Sequence, residues 1–303
     1  MTPRSPAGVL PVFQTPFHID GTVDFTTLES ELHWVLDQGC DGVVMGMVSE
    51  VLRLSDAEVA AVAECACALA AQRSAQCIIS VGAESTHVAI GRARLAETLG
   101  ATAVMAIPPM STALDDDELL TYYSGVLDAI DLPVVIQDAS GYVGQPLSID
   151  VQARLARAFP AKAVFKPEAP PIGPRVTALL ESTDGEARIL EGTGGLVLVD
   201  SYRRGVVGTM PGADVCWSIV ALWNALQHGD EATVQAINEP LTQLISLQGE
   251  LDSFLAVEKH LLVKQGIFPN ALVRGPVSYR LEDRTRVHVD NLFAALRQAA
   301  LHD

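Results

Sequence analysis

Short apolar runs alternate with longer amphipathic segments along most of the chain. The runs span residues 8–17, 42–47, 77–82, 103–109, 133–138, 163–168, 187–192 and 205–211, each a near-continuous apolar block. A strand with one wet face alternates apolar and polar positions, whereas an unbroken block marks a strand covered on both faces, as in a parallel sheet. Between the blocks, residues 24–38, 55–72, 86–99, 115–130 and 149–158 repeat their apolar positions at helical spacing. Eight strands interleaved with helices predict a (β/α)8 TIM barrel. The competing doubly wound sheet has fewer strands and a glycine-rich first turn, which the turn Thr15-Pro-Phe-His-Ile-Asp-Gly21 lacks. After residue 215 the pattern becomes purely helical, over 217–227, 231–248, 251–265 and 289–300. We therefore divide the chain into a barrel (1–215) and a C-terminal helical bundle (216–303). No linker separates them, so they are expected to form one folding unit.

Composition narrows the function classes. Of 303 residues, 49% are hydrophobic, enough for a sizeable core and too many for a disordered chain. Lys and Arg number 20 against 37 Asp and Glu, a formal charge of −17 that repels phosphate backbones and anionic membrane surfaces. Neither nucleic acid nor a membrane is an expected partner. There is no uninterrupted apolar run of about 18 residues, the length a membrane span needs. The opening Met-Thr-Pro-Arg-Ser-Pro lacks the apolar core of a signal peptide, so a soluble, cytoplasmic enzyme is expected. The five cysteines, Cys40, Cys65, Cys67, Cys77 and Cys216, are odd in number and form no disulfide framework. Cys65 and Cys67 point about 200° apart on a helix and cannot share a metal. The seven histidines are scattered with no pair at ligand spacing, so neither a metal nor another cofactor is expected.

The ends of barrel strands converge on one mouth, where reacting groups gather. Lys166 stands out there: the chain has four lysines, Lys162, Lys166, Lys259 and Lys264, and this one ends an apolar strand in Ala163-Val-Phe-Lys-Pro-Glu168. Desolvation disfavours an ammonium, and a neutral amine can attack a carbonyl to form an imine. Pro167 restricts Lys166 to extended backbone, which directs its side chain. The alternative is a structural lysine paired with Glu168 or Glu191.

Several motifs, in this order, resemble one family. They are Thr15-Pro-Phe with Asp20-Gly21 and Asp24, the loop Gly46-Met-Val-Ser-Glu50, Lys166 at the end of strand six, Lys259-His-Leu-Leu-Val-Lys264-Gln-Gly266, and Arg274-Gly-Pro276. Together they are similar to the dihydrodipicolinate synthase and N-acetylneuraminate lyase superfamily of class I aldolase barrels. The resemblance implies a homotetramer in which Lys166 forms a Schiff base with a 2-oxo acid, commonly pyruvate. The imine then acts as an electron sink for making or breaking a C–C bond through an enamine. It also implies a proton relay and a carboxylate clamp, and here the chain departs from the pattern. The position of the relay tyrosine on strand five holds Gln137, which cannot shuttle a proton. The hydroxyl positions after strand two hold Met47 and Val48, the tyrosine after strand four is Met110, and the arginine after strand five is Tyr142. A divergent member is expected, not an ordinary dihydrodipicolinate synthase.

Replacements are available at the mouth. Glu168 and Glu191 are candidate acids or bases, and Tyr142 could donate a phenol. Ser49 and the amides of Val48 and Ser49 could hold a carboxylate, with Gln137 beside them, while Glu50 caps backbone amides. The turn Gly192-Thr193-Gly194 suits substrate hydroxyls better than a phosphate, because the nearest basic residues after it are Arg203 and Arg204. The expected function is a Schiff-base-forming lyase of aldolase type, acting on a small 2-oxo acid or its aldol adduct. A sugar-acid dehydratase using the same lysine, or a ligand-binding barrel without turnover, are the alternatives.

Overall fold

The structure is a computed structural model that describes residues 5–140 and 146–300. Eight parallel strands are joined in the order β1-β8-β7-β6-β5-β4-β3-β2. They are β1 (Gly8–Val9), β2 (Gly42–Met45), β3 (Gln76–Ser80), β4 (Ala103–Ala106), β5 (Val134–Gln137), β6 (Ala163–Lys166), β7 (Arg188–Glu191) and β8 (Gly208–Thr209). Val12, just beyond β1, bridges both Val44 and Gly212, so the sheet closes on itself. This is the (β/α)8 barrel expected from the eight apolar blocks. The first block, 8–17, forms regular ladder over Gly8–Val9 alone. Beyond it the amides of Leu10 and Val12 still bond Thr209 and Pro211, while Pro11 offers its carbonyl to Val44.

Side-chain parity sorts the strands into two layers, because successive residues face opposite sides of a sheet. Val44, Ile78, Met105, Val135, Val164 and Leu190 fill the barrel interior with Leu10 and Met210. Their neighbours Val43, Ile79, Val104, Val134, Phe165 and Ile189 pack outward against the helices. Both faces are apolar, which is why no alternation shows in the sequence. The helices start where short polar side chains cap them: Asp24, Ser55, Ser85, Asp115 and Ser148 each accept an amide of the first turn. They cap α1 (Phe25–Asp37), α2 (Asp56–Gln72), α3 (Thr86–Thr98), α4 (Asp116–Ala129) and α5 (Ile149–Ala158).

Two crossover helices carry too little periodicity to read in advance, α6 (Ile172–Ser182) and the seven-residue α7 (Leu198–Arg204). After β8, α8 (Cys216–His228) lies against β1 and packs on α9 (Glu231–Ile245) and α11 (Asp283–Ala300). The last helix begins six residues ahead of the expected 289, since Asp283-Arg-Thr-Arg-Val-His288 is polar and shows no apolar face. Among the described residues no helix is long and apolar enough to cross a membrane.

The helix that matters most for the mouth is α10 (Leu251–Lys264). Phe254 and Leu255 enter the interior cluster of the barrel, and the next turn is tied to strand ends by buried polar groups. Glu258 accepts the Ala213 amide at 2.6 Å and the Gln14 side chain, and Glu31 accepts the Gln14 amide at 2.9 Å. Burial pushes Glu31 up to about 8 and Asp214 up to about 7, and it also raises Glu258, helped by Asp214 and Glu31 nearby. Lys259 is the cation facing Glu31 and Glu258. A carboxyl whose folded-state pKa is raised favours folding most below its unfolded value, and that contribution is lost as pH rises through the folded pKa. Stability is therefore expected to fall from about pH 5 to about pH 8, by about 1 kcal/mol per pH unit for each carboxyl that stays protonated only in the folded state. Urea unfolding across that window measures it, and Glu31→Gln should flatten the slope. A flat profile in the parent protein would contradict the buried-acid assignment.

Candidate active site

Lys166 is the last residue of β6 and shares interior parity with Val164, so its side chain rises along the barrel axis. It is 5% exposed, and its Nζ lies 2.6 Å from Glu168 Oε1. Glu168, two positions on, keeps the same parity. Gln137, paired in register with Lys166 across β5, donates from Nε2 to the same Glu168 oxygen at 2.9 Å. Burial raises the Glu168 carboxyl, opposed by the adjacent Lys166 charge. Its second oxygen, Oε2, is buried and meets no hydrogen-bond partner among the described residues. A buried carboxyl beside an amine, with one oxygen uncommitted, can take a proton from the amine and return it elsewhere.

Asp138 fixes the backbone under this pair. It has outward parity, and its Oδ1 and Oδ2 accept the amides of Glu168 at 3.1 Å and Ala169 at 3.2 Å. Gly192 completes the seat on the other side. A Cβ there would stand 2.8 Å from Lys166 Cγ and 2.9 Å from Cε, so the lysine stem lies directly over bare backbone. Gly194, at φ +71, is in the left-handed region and lines the same cavity.

The cavity over Nζ is walled by Met47, Met105, Met210 and Phe254, with Val48 at the rim. It holds about 390 Å³ counted out to open solvent, with enclosed room for little more than one water. A ligand larger than a few waters must displace the methionines, whose three rotatable bonds allow that readily. Phe254, Met105 and Met210 carried no chemical signal in the sequence, and Met47 was marked there only as a missing hydroxyl. Methionine at a strand end reads as core, and the apolar face of α10 does not say which surface it covers.

The expected residues thus separate into three groups. Lys166, Glu168, Gln137, Val48, Gly192 and Gly194 come together around one cavity. Glu191 does not join them. It shares the outward parity of Ile189, and its oxygens are taken by Thr209 Oγ1 at 2.6 Å and by the amide of Thr193 at 2.6 Å together with the Thr193 hydroxyl. The partner of Lys166 is Glu168, and no ion pair joins the lysine to Glu191. Thr193 is held in the same turn and also accepts the Val197 amide. Ser49 is fully buried and committed internally: its hydroxyl donates to Phe13 O and accepts the Gly46 amide, and its own amide bonds Gly46 O. The amides of Met47 and Val48 have no acceptor among the described residues. Tyr142 lies outside the described residues. Glu50, in the left-handed region at φ 59, closes the loop against Lys259, Arg53 and the Arg274 amide. Among the described residues no cluster of three His, Cys, Asp or Glu side chains is arranged to hold a metal.

Comparison with known proteins agrees with this fold. The sequence profile of the Dihydrodipicolinate synthetase family matches residues 5–295. A 4-hydroxy-tetrahydrodipicolinate synthase of Haloarcula marismortui is 27% identical over 98% of this chain and 95% of its own length. An L-2-keto-3-deoxyarabonate dehydratase of Azospirillum brasilense is 29% identical over 76% of each chain. The crystal structure of a dihydrodipicolinate synthase from Rhodopseudomonas palustris superposes with a TM-score of 0.86 at 29% identity, covering 98% of this chain and 99% of that one. With the profile spanning nearly every described residue and the barrel shared from end to end, this chain belongs to the dihydrodipicolinate synthetase family.

Proposed function

We infer that the protein is a lysine-dependent lyase that forms a Schiff base between Lys166 and a small 2-oxo acid. The observation that carries this is the buried Lys166–Glu168 pair beneath a cavity, with Gln137 holding the carboxylate in place. The proton on Nζ passes to Glu168 across 2.6 Å, which frees the amine lone pair to attack the 2-oxo carbon. The new alkoxide takes a proton from the attacking nitrogen, and the resulting carbinolamine loses water when Glu168 returns its proton to the leaving hydroxyl, so the protonated imine remains. As a carboxylate, Glu168 can then remove a proton from the adjacent carbon to give an enamine. Substrate carboxylate is held by the amides of Met47 and Val48, a role that needs no hydroxyl side chain.

Elimination of a hydroxyl from a sugar-acid derivative is the second reading. It is supported by the burial-raised Glu168, which can protonate a leaving hydroxyl, and by the similarity to the Azospirillum brasilense dehydratase. The missing hydroxyl relay speaks against ordinary dihydrodipicolinate synthase chemistry, because Met47, Met110 and Gln137 carry no transferable proton.

Borohydride reduction in the presence of pyruvate and of 2-keto-3-deoxy sugar acids tests the proposal. A reduced adduct mapped to the Lys166 peptide, and absent in Lys166→Ala, is the expected result. An adduct on Lys162, or none with any oxo acid, would defeat it. An adduct on Lys166 without turnover of any compound would favour a ligand-binding barrel.

A further inference from the structure

A second cavity, sharing no lining residue with the Lys166 mouth, lies between α10, the segment 271–281 and the start of α11, with about 1350 Å³ of space counted, as for the first, out to open solvent. We propose that it is a binding site for an organic carboxylate with an apolar body. Three features carry this.

The first is charge. In a chain of net charge −17, residues 270–288 hold four arginines against two acids. Two of them, Arg280 and Arg286, line the cavity with His260 and Tyr279. Arg286 contacts Asp283 at 3.0 Å, and Asp290 is shared by His260 at 2.9 Å and Lys264 at 3.3 Å. Arg280 is exposed and makes no ion pair among the described residues. Of the two arginines that line the cavity, Arg286 is paired with Asp283, which leaves the Arg280 guanidinium as the uncommitted cation there. That matches a single carboxylate, which a guanidinium fork binds in two-point fashion, better than a doubly charged phosphate.

The second is the floor. Leu272, Val277 and Leu281, with Pro276, give apolar lining alongside these cationic groups, and Tyr279 adds a flat face. A site with few polar groups placed over apolar walls is the usual make-up of a small-molecule pocket.

The third is rigidity. The floor is held at its inner edge by buried bonds: Lys259 Nζ donates to Leu272 O at 2.7 Å, and the Arg274 amide donates to Glu50 at 3.0 Å. Glu50 closes the loop whose Val48 rims the Lys166 cavity. The stretch from Leu272 to Arg274 beside the cavity is therefore tied to buried groups of the barrel loop.

Calorimetric titration of the full chain with 2-naphthoate, and with its neutral counterpart 2-naphthamide, tests this. Saturable naphthoate binding is expected, unaltered in Lys166→Ala, and weakened about tenfold in Arg280→Gln by loss of one charge-assisted contact. Naphthamide affinity should be the same in Arg280→Gln as in the parent. Arg280 is exposed and without an ion pair, so this variant keeps the fold; Val277→Trp, which fills the cavity, should abolish binding of both probes. No saturation, equal losses for both probes in Arg280→Gln, or loss of naphthoate binding in Lys166→Ala would each overturn the proposal.

Discussion

Glu168→Gln is expected to lower turnover by about 10²–10⁴-fold, the usual contribution of a positioned acid or base. The amide is nearly isosteric and can still accept from Lys166, so the lysine keeps its place while the transferable proton is lost. Imine trapping by borohydride should persist at a slower rate, because amine, carbonyl and cavity remain. The pH dependence gives a second readout. Burial raises the Glu168 carboxyl from its ordinary value, so the parent's rate should bend at a pH above the normal carboxylate range, and that limb should vanish in the variant. Steady-state kinetics on whichever oxo acid is trapped supplies both numbers. A rate within about fivefold of the parent would mean that Glu168 positions Lys166 and moves no proton, since general catalysis is worth far more than that.

The split between what the sequence revealed about this site and what it hid follows from strand parity. The eight apolar blocks made the barrel legible, and the strand-end rule isolated Lys166 among four lysines. The spacing between Lys166 and Glu168 is two, so both face the interior, and their pairing could be read from alternation alone. The same count excludes Glu191, one position beyond the inward Leu190, and its engagement with Thr193 and Thr209 follows from facing outward at the top of β7. Ser49 offered a hydroxyl in a ligand-binding loop, but the loop itself consumes it, through Phe13 O and the Gly46 amide. Local sequence does not show such closure, because Phe13 belongs to the segment after β1. The cover of the mouth was equally hidden. Phe254 is one apolar position among many on α10, and its arrival above Lys166 depends on contacts between distant segments, Gln14 with Glu258 and Thr15 with Lys259.

Those distant contacts support the largest stability effect expected for this protein. Lys259→Met should destabilise the fold by about 3–5 kcal/mol, the range observed when one partner of a buried ion pair is removed. Lys259 is fully buried, and its ammonium donates to Glu50 and to the carbonyls of Thr15 at 2.8 Å and Leu272 at 2.7 Å. Burial lowers its pKa, and the adjacent Glu50, with Glu31 and Glu258 beyond it, opposes that shift. Without it, the Glu50 carboxylate remains buried at a left-handed backbone position, supported by Arg53 at 3.6 Å and the Arg274 amide. Two carbonyls also lose their donor. Urea unfolding of the single variant measures the loss. Glu50→Gln combined with Lys259→Met removes the stranded charge as well, so the double variant should be more stable than the Lys259→Met single by about 1–3 kcal/mol. If instead the two substitutions add without coupling, Lys259 acts chiefly on the Thr15 and Leu272 carbonyls. The seam between α10 and the strand ends would then rest on backbone acceptors, not on the ion pair.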